Sequence, residues 1–173
     1  MKNYKENLRN IKAFIFDVDG VLSSATMPMA EDGTPIRTAN VKDGYALQYA
    51  RKSGYILAVI TGGDTELVRN RCKIFGITDI YTKSADKMVD YEDFKEKHNL
   101  SDSDIIYVGD DLPDIPVLQK CGISVCPADA AHEVKEIVDY ISINKGGQGC
   151  VRDIIEQTMR AQDKWLAGEM FVW

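Results

Sequence analysis

An apolar run that ends in two carboxylates is the first feature of this sequence with chemical consequences. In FIFDVDGVL, residues 14–22, Phe14, Ile15 and Phe16 read as a strand covered on both faces, where a charged group needs a partner. Asp17 and Asp19 stand two residues apart, a spacing that in extended backbone turns both carboxylates to one side, and Gly20 lets the chain bend away. A second acidic group, GDDLPD, carries Asp110, Asp111 and Asp114 after another apolar run. Between them lie Thr61-Gly62-Gly63, closing a third run, and Lys87, opening a helical pattern. Taken singly these residues have ordinary explanations: Thr61 and Asp64-Thr65 as helix caps, Lys87 as a solvated cation, Asp110 to Asp114 as an acidic helix start. Brought to one point, the carboxylates repel one another, and a bound divalent cation is the usual remedy. An all-oxygen set with few protein ligands suits Mg²⁺, which keeps waters and accepts phosphate oxygens.

Strand ends converge in this way in one kind of architecture. IKAFIF (11–16), ILAVI (56–60), DIIYV (104–108) and ISVC (123–126) read as strands. Between them, 43–52 places Ala46, Tyr49 and Ala50 on one helical face, and 65–76 does the same with Leu67, Val68, Cys72 and Phe75 before Gly76. In 87–98 the pattern returns with Met88, Tyr91 and Phe94 as core. The alternation predicts an α/β fold: a doubly wound, mostly parallel sheet of Rossmann-like type, with ligands gathering at the carboxyl ends of its strands. We expect one domain over 1–173, with a β-hairpin inserted at about 23–41, turning at Asp32-Gly33, and a C-terminal helix and tail at about 150–173. Met27 and Met29 of the hairpin ask for a partner surface, and Trp165, Phe171 and Trp173 for cover from another subunit or their own domain.

Composition narrows the classes. The chain has 173 residues, 45% hydrophobic and 28% charged, enough for a core without disulfides. A net charge of −6 disfavours a nucleic-acid partner. Cys72, Cys121, Cys126 and Cys150 form no CxxC pair and lie apart from His98 and His132, which argues against structural zinc. No apolar window reaches signal-peptide or membrane-span length, so no membrane association and a cytoplasmic location are expected.

In chain order, DVDGV, ITGG, Lys87 and GDDLPD resemble the four motifs of the haloacid dehalogenase superfamily, over residues 11 to 126. An Asp at the place of Asp19 points, within that superfamily, to phosphatases. The resemblance implies Asp17 as the nucleophile that becomes an aspartyl phosphate, and Asp19 as the acid for the leaving alcohol and then the base for water. It implies Thr61 on a phosphoryl oxygen and Lys87 as positive charge against nucleophile and transferring group. Mg²⁺ would be held by Asp17, the backbone carbonyl of Asp19 and Asp110, with Asp111 and Asp114 supporting these ligands from behind.

The intervals from Asp17 to Thr61 and from Lys87 to Asp110 are too short for a separate cap domain. The hairpin, NVKDGYAL (40–47) and GGQGCVRD (146–153) resemble the capless 3-deoxy-D-manno-octulosonate 8-phosphate phosphatases, whose tetramers share segments across subunit boundaries. This implies a phosphorylated sugar acid as substrate, a homotetramer with shared active sites, and Gly62, Gly63, Arg71 and Arg152 on the substrate side, with Lys42 as a further anion contact. Arg152 and the Gly-rich turn also read as the first turn of the last helix and a linker. The family carries a charged residue where this chain has Gly63, and a Tyr-containing strand where it has Ser23-Ser24-Ala25-Thr26, which leaves a nine-carbon keto-acid 9-phosphate as the alternative substrate. A phospho-accepting receiver-like domain, which also gathers an acidic pocket, Thr and Lys, is the alternative of another class.

Overall fold

Phe14, Ile15 and Phe16 lie at the centre of a six-stranded parallel sheet because every neighbour offered to them is also apolar. The structure, a computed structural model, describes residues 3–167; Phe171 and Trp173 lie outside the described residues. In chain order the elements are α1 (Tyr4–Asn7), β1 (Ala13–Phe16), α2 (Val41–Lys52), β2 (Ile56–Ile60), α3 (Glu66–Ile74), β3 (Asp79–Tyr81), α4 (Lys87–Lys97), β4 (Ile105–Val108), α5 (Ile115–Lys120), β5 (Ile123–Cys126), α6 (His132–Ile137), β6 (Tyr140–Ile141) and α7 (Cys150–Ala161). The strands are ordered β3-β2-β1-β4-β5-β6. This is the doubly wound order with its switch between β1 and β4, not the 2-1-3-4-5 order of receiver domains, and it counts against the receiver-like alternative.

Alternation along the strands feeds two cores. Phe14, Phe16, Leu57, Val59, Ile106 and Val108 face α2, α3 and α7, meeting Leu47, Ala50, Cys72, Ile154 and Ile155. Ala13, Ile15, Ala58, Ile60, Ile105 and Tyr107 face α4, α5 and α6, meeting Tyr91, Phe94, Leu118 and Val134. Both faces being covered is why these strands read as unbroken apolar runs.

Three of the helices are started by a polar side chain: Asn40 accepts from the Lys42 and Asp43 amides, Thr65 from Val68, and Asp86 from Met88. The buried face of α3 is narrower than its sequence implies. Val68 and Cys72 are buried and Phe75 packs against them, but Leu67 is 62% exposed, because adjacent residues on a helix diverge by about 100°. The hairpin insert turns at Asp32-Gly33 as expected, with Ala30 N bonding Thr34 O at 2.8 Å and Ile36 N bonding Pro28 O at 2.8 Å. It forms a single antiparallel bridge, Met29 to Pro35, instead of two strands, since Pro28 and Pro35 bring no amide hydrogen to a ladder. Trp165 is covered by its own domain, edge-on to Tyr49 at 6.1 Å.

Candidate active site

The sheet itself fixes Asp17: its amide donates to Val108 O at 3.0 Å, extending the β1–β4 ladder one residue past the strand. Its side chain accepts from Val18 N at 2.7 Å and meets Lys87 Nζ at 3.0 Å. Lys87, the first residue of α4, also reaches Asp114 Oδ1 at 2.6 Å. Asp114 is fully buried and fully used. Its Oδ1 also accepts from Tyr107 OH at 2.6 Å, and its Oδ2 from the amides of Asp110 and Asp111 at 3.0 and 3.2 Å.

Carboxylate oxygens of Asp17, Asp110 and Asp114 lie within 4.8 Å of one another. Gly20 makes this approach possible: with φ at 92°, it stands where a Cβ would fall 2.0 Å from Asp110 Oδ2. Three acids then share one ammonium. Burial first, and then the charge of Asp114, push the Asp17 carboxyl up to about 6 against the opposing pull of Lys87. Burial and the charges of Asp17 and Asp114 push Asp110 up to about 7. For Lys87, burial acts downward, but the two carboxylates outweigh it and the shift is upward. The shortage of positive charge among hard oxygen donors fits a small divalent cation.

Asp19 does not share this cluster through its carboxylate. β1 ends at Phe16 and Val18 lies in a turn, so the two-residue spacing is not what aligns the pair. Instead the guanidinium of Arg37 grips Asp19 in a fork, Nε to Oδ1 at 2.7 Å and Nη2 to Oδ2 at 2.8 Å. Thr38 secures this segment: its amide donates to Ser23 Oγ at 2.9 Å, and its hydroxyl accepts from Ser24 N at 2.9 Å. Arg37 was not legible as a site residue in the sequence, where its only signal is being the one basic side chain of the insert.

The loop after β2 flanks the same place. Thr61 is buried, its amide bonded to Tyr81 O at 2.9 Å and its hydroxyl accepting from Gly63 N at 3.2 Å. Ser84 N to Thr61 O, 3.1 Å, ties the loop to the approach to α4, and an added Cβ on Gly62 would sit 3.7 Å from Ser84 O. Asp111 is exposed, and it closes a capping box with Asp114: its side chain accepts from the Asp114 amide while its own amide donates to Asp114 Oδ2 at 3.2 Å.

Two residues expected on the substrate side stand away from the acidic cluster. Arg71 lies over the Phe75 ring at 5.4 Å, in the wall of a cavity of about 360 Å³ that Arg37, Asp43 and Leu47 also line. Arg152 lies over Trp165 at 5.3 Å and 3.5 Å from Glu156, lining a separate cavity with Lys42. Among the described residues no helix is long and apolar enough to cross a membrane.

Comparison with known proteins follows the same lines. Residues 66–154 match the haloacid dehalogenase-like hydrolase family. The chain is 39% identical over 155 residues to the 3-deoxy-D-manno-octulosonate 8-phosphate phosphatase KdsC of Escherichia coli K12, covering 90% of this chain and 82% of that protein. The crystal structure of the same phosphatase from Yersinia pestis superimposes with a TM-score of 0.91 at 34% identity, over 94% of this chain and 88% of the other. That from Moraxella catarrhalis, in complex with a magnesium ion, a phosphate ion and KDO, gives 0.90 at 33% identity over 95% of each chain.

Proposed function

From the membership of this chain in the haloacid dehalogenase-like hydrolases, among relatives that are 3-deoxy-D-manno-octulosonate 8-phosphate phosphatases, we propose that it hydrolyses that sugar-acid phosphate to the free sugar acid and inorganic phosphate. The observation that carries the reading is the meeting of the Asp17, Asp110 and Asp114 carboxylates, two of them paired with Lys87 and two held above their usual range.

Asp17, Asp110 and the backbone carbonyl of Asp19 would hold magnesium, which supplies the positive charge that lets an anionic phosphoryl group approach a carboxylate. Asp17 donates an electron pair to phosphorus while the ester bond to the sugar oxygen breaks. Asp19 delivers a proton to that oxygen, leaving an aspartyl phosphate. Asp19 then takes a proton from water as the water oxygen bonds to phosphorus, and the acyl phosphate bond breaks to return Asp17 and phosphate. Lys87 holds Asp17 ionised and faces the developing charge, and the Thr61 hydroxyl with the Gly62 and Gly63 amides steadies the phosphoryl oxygens. Asp114 keeps Lys87 and the Asp110 amide in place, and Asp111 fixes the turn.

The working unit is a homotetramer in the cytoplasm, with neighbours covering sites that have no cap of their own and Arg71 and Arg152 meeting the sugar acid. Support comes from the exposed Met29 and Ile36 of the insert, 62% and 52%, and from free cysteines at 72, 121, 126 and 150.

Purified protein is to be assayed for phosphate release from the eight-carbon acid 8-phosphate and a nine-carbon keto-acid 9-phosphate, with magnesium and with chelator. Release from the first, lost with chelator and in Asp17→Asn, is the expected result. Preference for the nine-carbon ester reassigns the substrate, and full activity in Asp17→Asn removes the mechanism.

A further inference from the structure

Arg37 is a cation committed to a single carboxylate. Lys87 is buried and divided between Asp17 and Asp114, whereas among the described residues the Arg37 guanidinium bonds Asp19 alone. That contact occupies both oxygens of the one carboxylate that must exchange a proton with the leaving group and with water. A fork of this kind is a carboxylate-recognition device. In the free protein its partner is a protein carboxylate, and a substrate that brings a carboxylate of its own brings the same ligand.

Position favours that exchange. The guanidinium lies over the loop after β2: a Cβ on Gly63 would fall 3.2 Å from Arg37 Nη2, 3.7 Å from Thr61 Oγ1 and 3.8 Å from Asp19 Oδ2. The missing side chain at 63 therefore leaves the space into which Arg37 projects. On its other side Arg37 lines the 360 Å³ cavity that also holds Arg71, so a molecule anchored by its phosphoryl group at Asp17 and extending into that cavity passes it. The Ser23–Thr38 bonds clamp the backbone beside Arg37.

We infer that Arg37 is a specificity-determining residue, held on Asp19 in the free enzyme and transferred to the substrate's carboxylate on binding, which releases Asp19 for proton transfer. The inference rests on the sugar-acid phosphatase reading.

The test compares wild type, Arg37→Met and Arg37→Lys on two alkyl phosphates, the sugar-acid 8-phosphate and ribose 5-phosphate, which has no carboxylate. Affinity for free 3-deoxy-D-manno-octulosonate is measured in parallel by calorimetry. In Arg37→Met the ratio of kcat/KM between the two esters falls about tenfold or more, carried by KM, and the sugar acid binds about tenfold more weakly. Arg37→Lys, which keeps charge but loses the fork, falls between. A parallel loss on both esters overturns the inference and leaves Arg37 as a positioning residue for Asp19. No change on either overturns it too, as an ion pair without consequence for the reaction. Wild-type indifference to the sugar-acid ester beside turnover of ribose 5-phosphate refutes the substrate reading itself, before any variant is needed.

Discussion

Lys87 Nζ and Asp114 Oδ1 lie 2.6 Å apart in the interior, between the last residue of β1's extension and the turn after β4. The pair is the joint through which two distant motifs are held at one place. Lys87 spans to Asp17 on one side, and Asp114 gathers Tyr107 and two amides on the other. Neither residue needs to touch substrate for the geometry of both motifs to depend on it.

Asp114→Asn tests that joint. Each carboxylate oxygen of Asp114 accepts from two donors, so an amide must present its NH₂ either to Lys87 and Tyr107 or to the two backbone amides. A broken buried pair costs about 3 kcal/mol or more, and urea unfolding is expected to show that loss, with phosphatase activity down by about a hundredfold or more. Wild-type stability in the variant would mean the pair is dispensable.

The crowded acids set a pH dependence of stability in metal-free protein. Asp17 and Asp110 are raised to about 6 and about 7 in the fold, above the ordinary carboxylate value they regain on unfolding. Between those limits the folded state binds more protons, so its stability falls as pH rises through 6 and 7. Thermal unfolding in chelator is expected at higher temperature near pH 5 than near pH 8, and added magnesium is expected to raise Tm more at pH 8, where protons no longer compete. The opposite slope in chelator would contradict the arrangement of charges.

Gly20→Ala probes the approach of the two motifs. The substitution adds a Cβ 2.0 Å from Asp110 Oδ2 at a residue with φ of 92°, so both backbone and carboxylate must yield. Magnesium affinity measured by calorimetry is expected to weaken about tenfold or more, with Asp110 displaced. Unaltered affinity would exclude Asp110 as a ligand.

What the sequence discloses and what it hides follow from range. Four central strands are legible because both of their faces are covered, so their apolar runs are uninterrupted. Asp79–Tyr81 and Tyr140–Ile141, at the sheet's edges, are short and half-polar, and carry no such signal. Asp17, Asp110 and Lys87 are legible because each stands at the start or end of an element. The Arg37–Asp19 fork is not, because a contact across 18 residues depends on how the insert folds back through Ser23 and Thr38. Nor does the sequence show that Arg152 turns to Trp165 and Glu156 within its own subunit.

That last placement decides how the shared-site proposal is tested. Arg152 lines a different cavity from the one beside Arg37, and on the shared-site proposal it serves a neighbour's site. Asp17→Asn subunits lack the proposed nucleophile but offer a sound Arg152, and Arg152→Ala subunits do the reverse. Co-refolded in equal amounts, they are expected to regain turnover of the sugar-acid phosphate at about a quarter of sites by random assembly, where neither variant alone is active. Light scattering on the same samples reports the assembly. Oligomers that form without recovered turnover would confine Arg152 to its packing against Trp165.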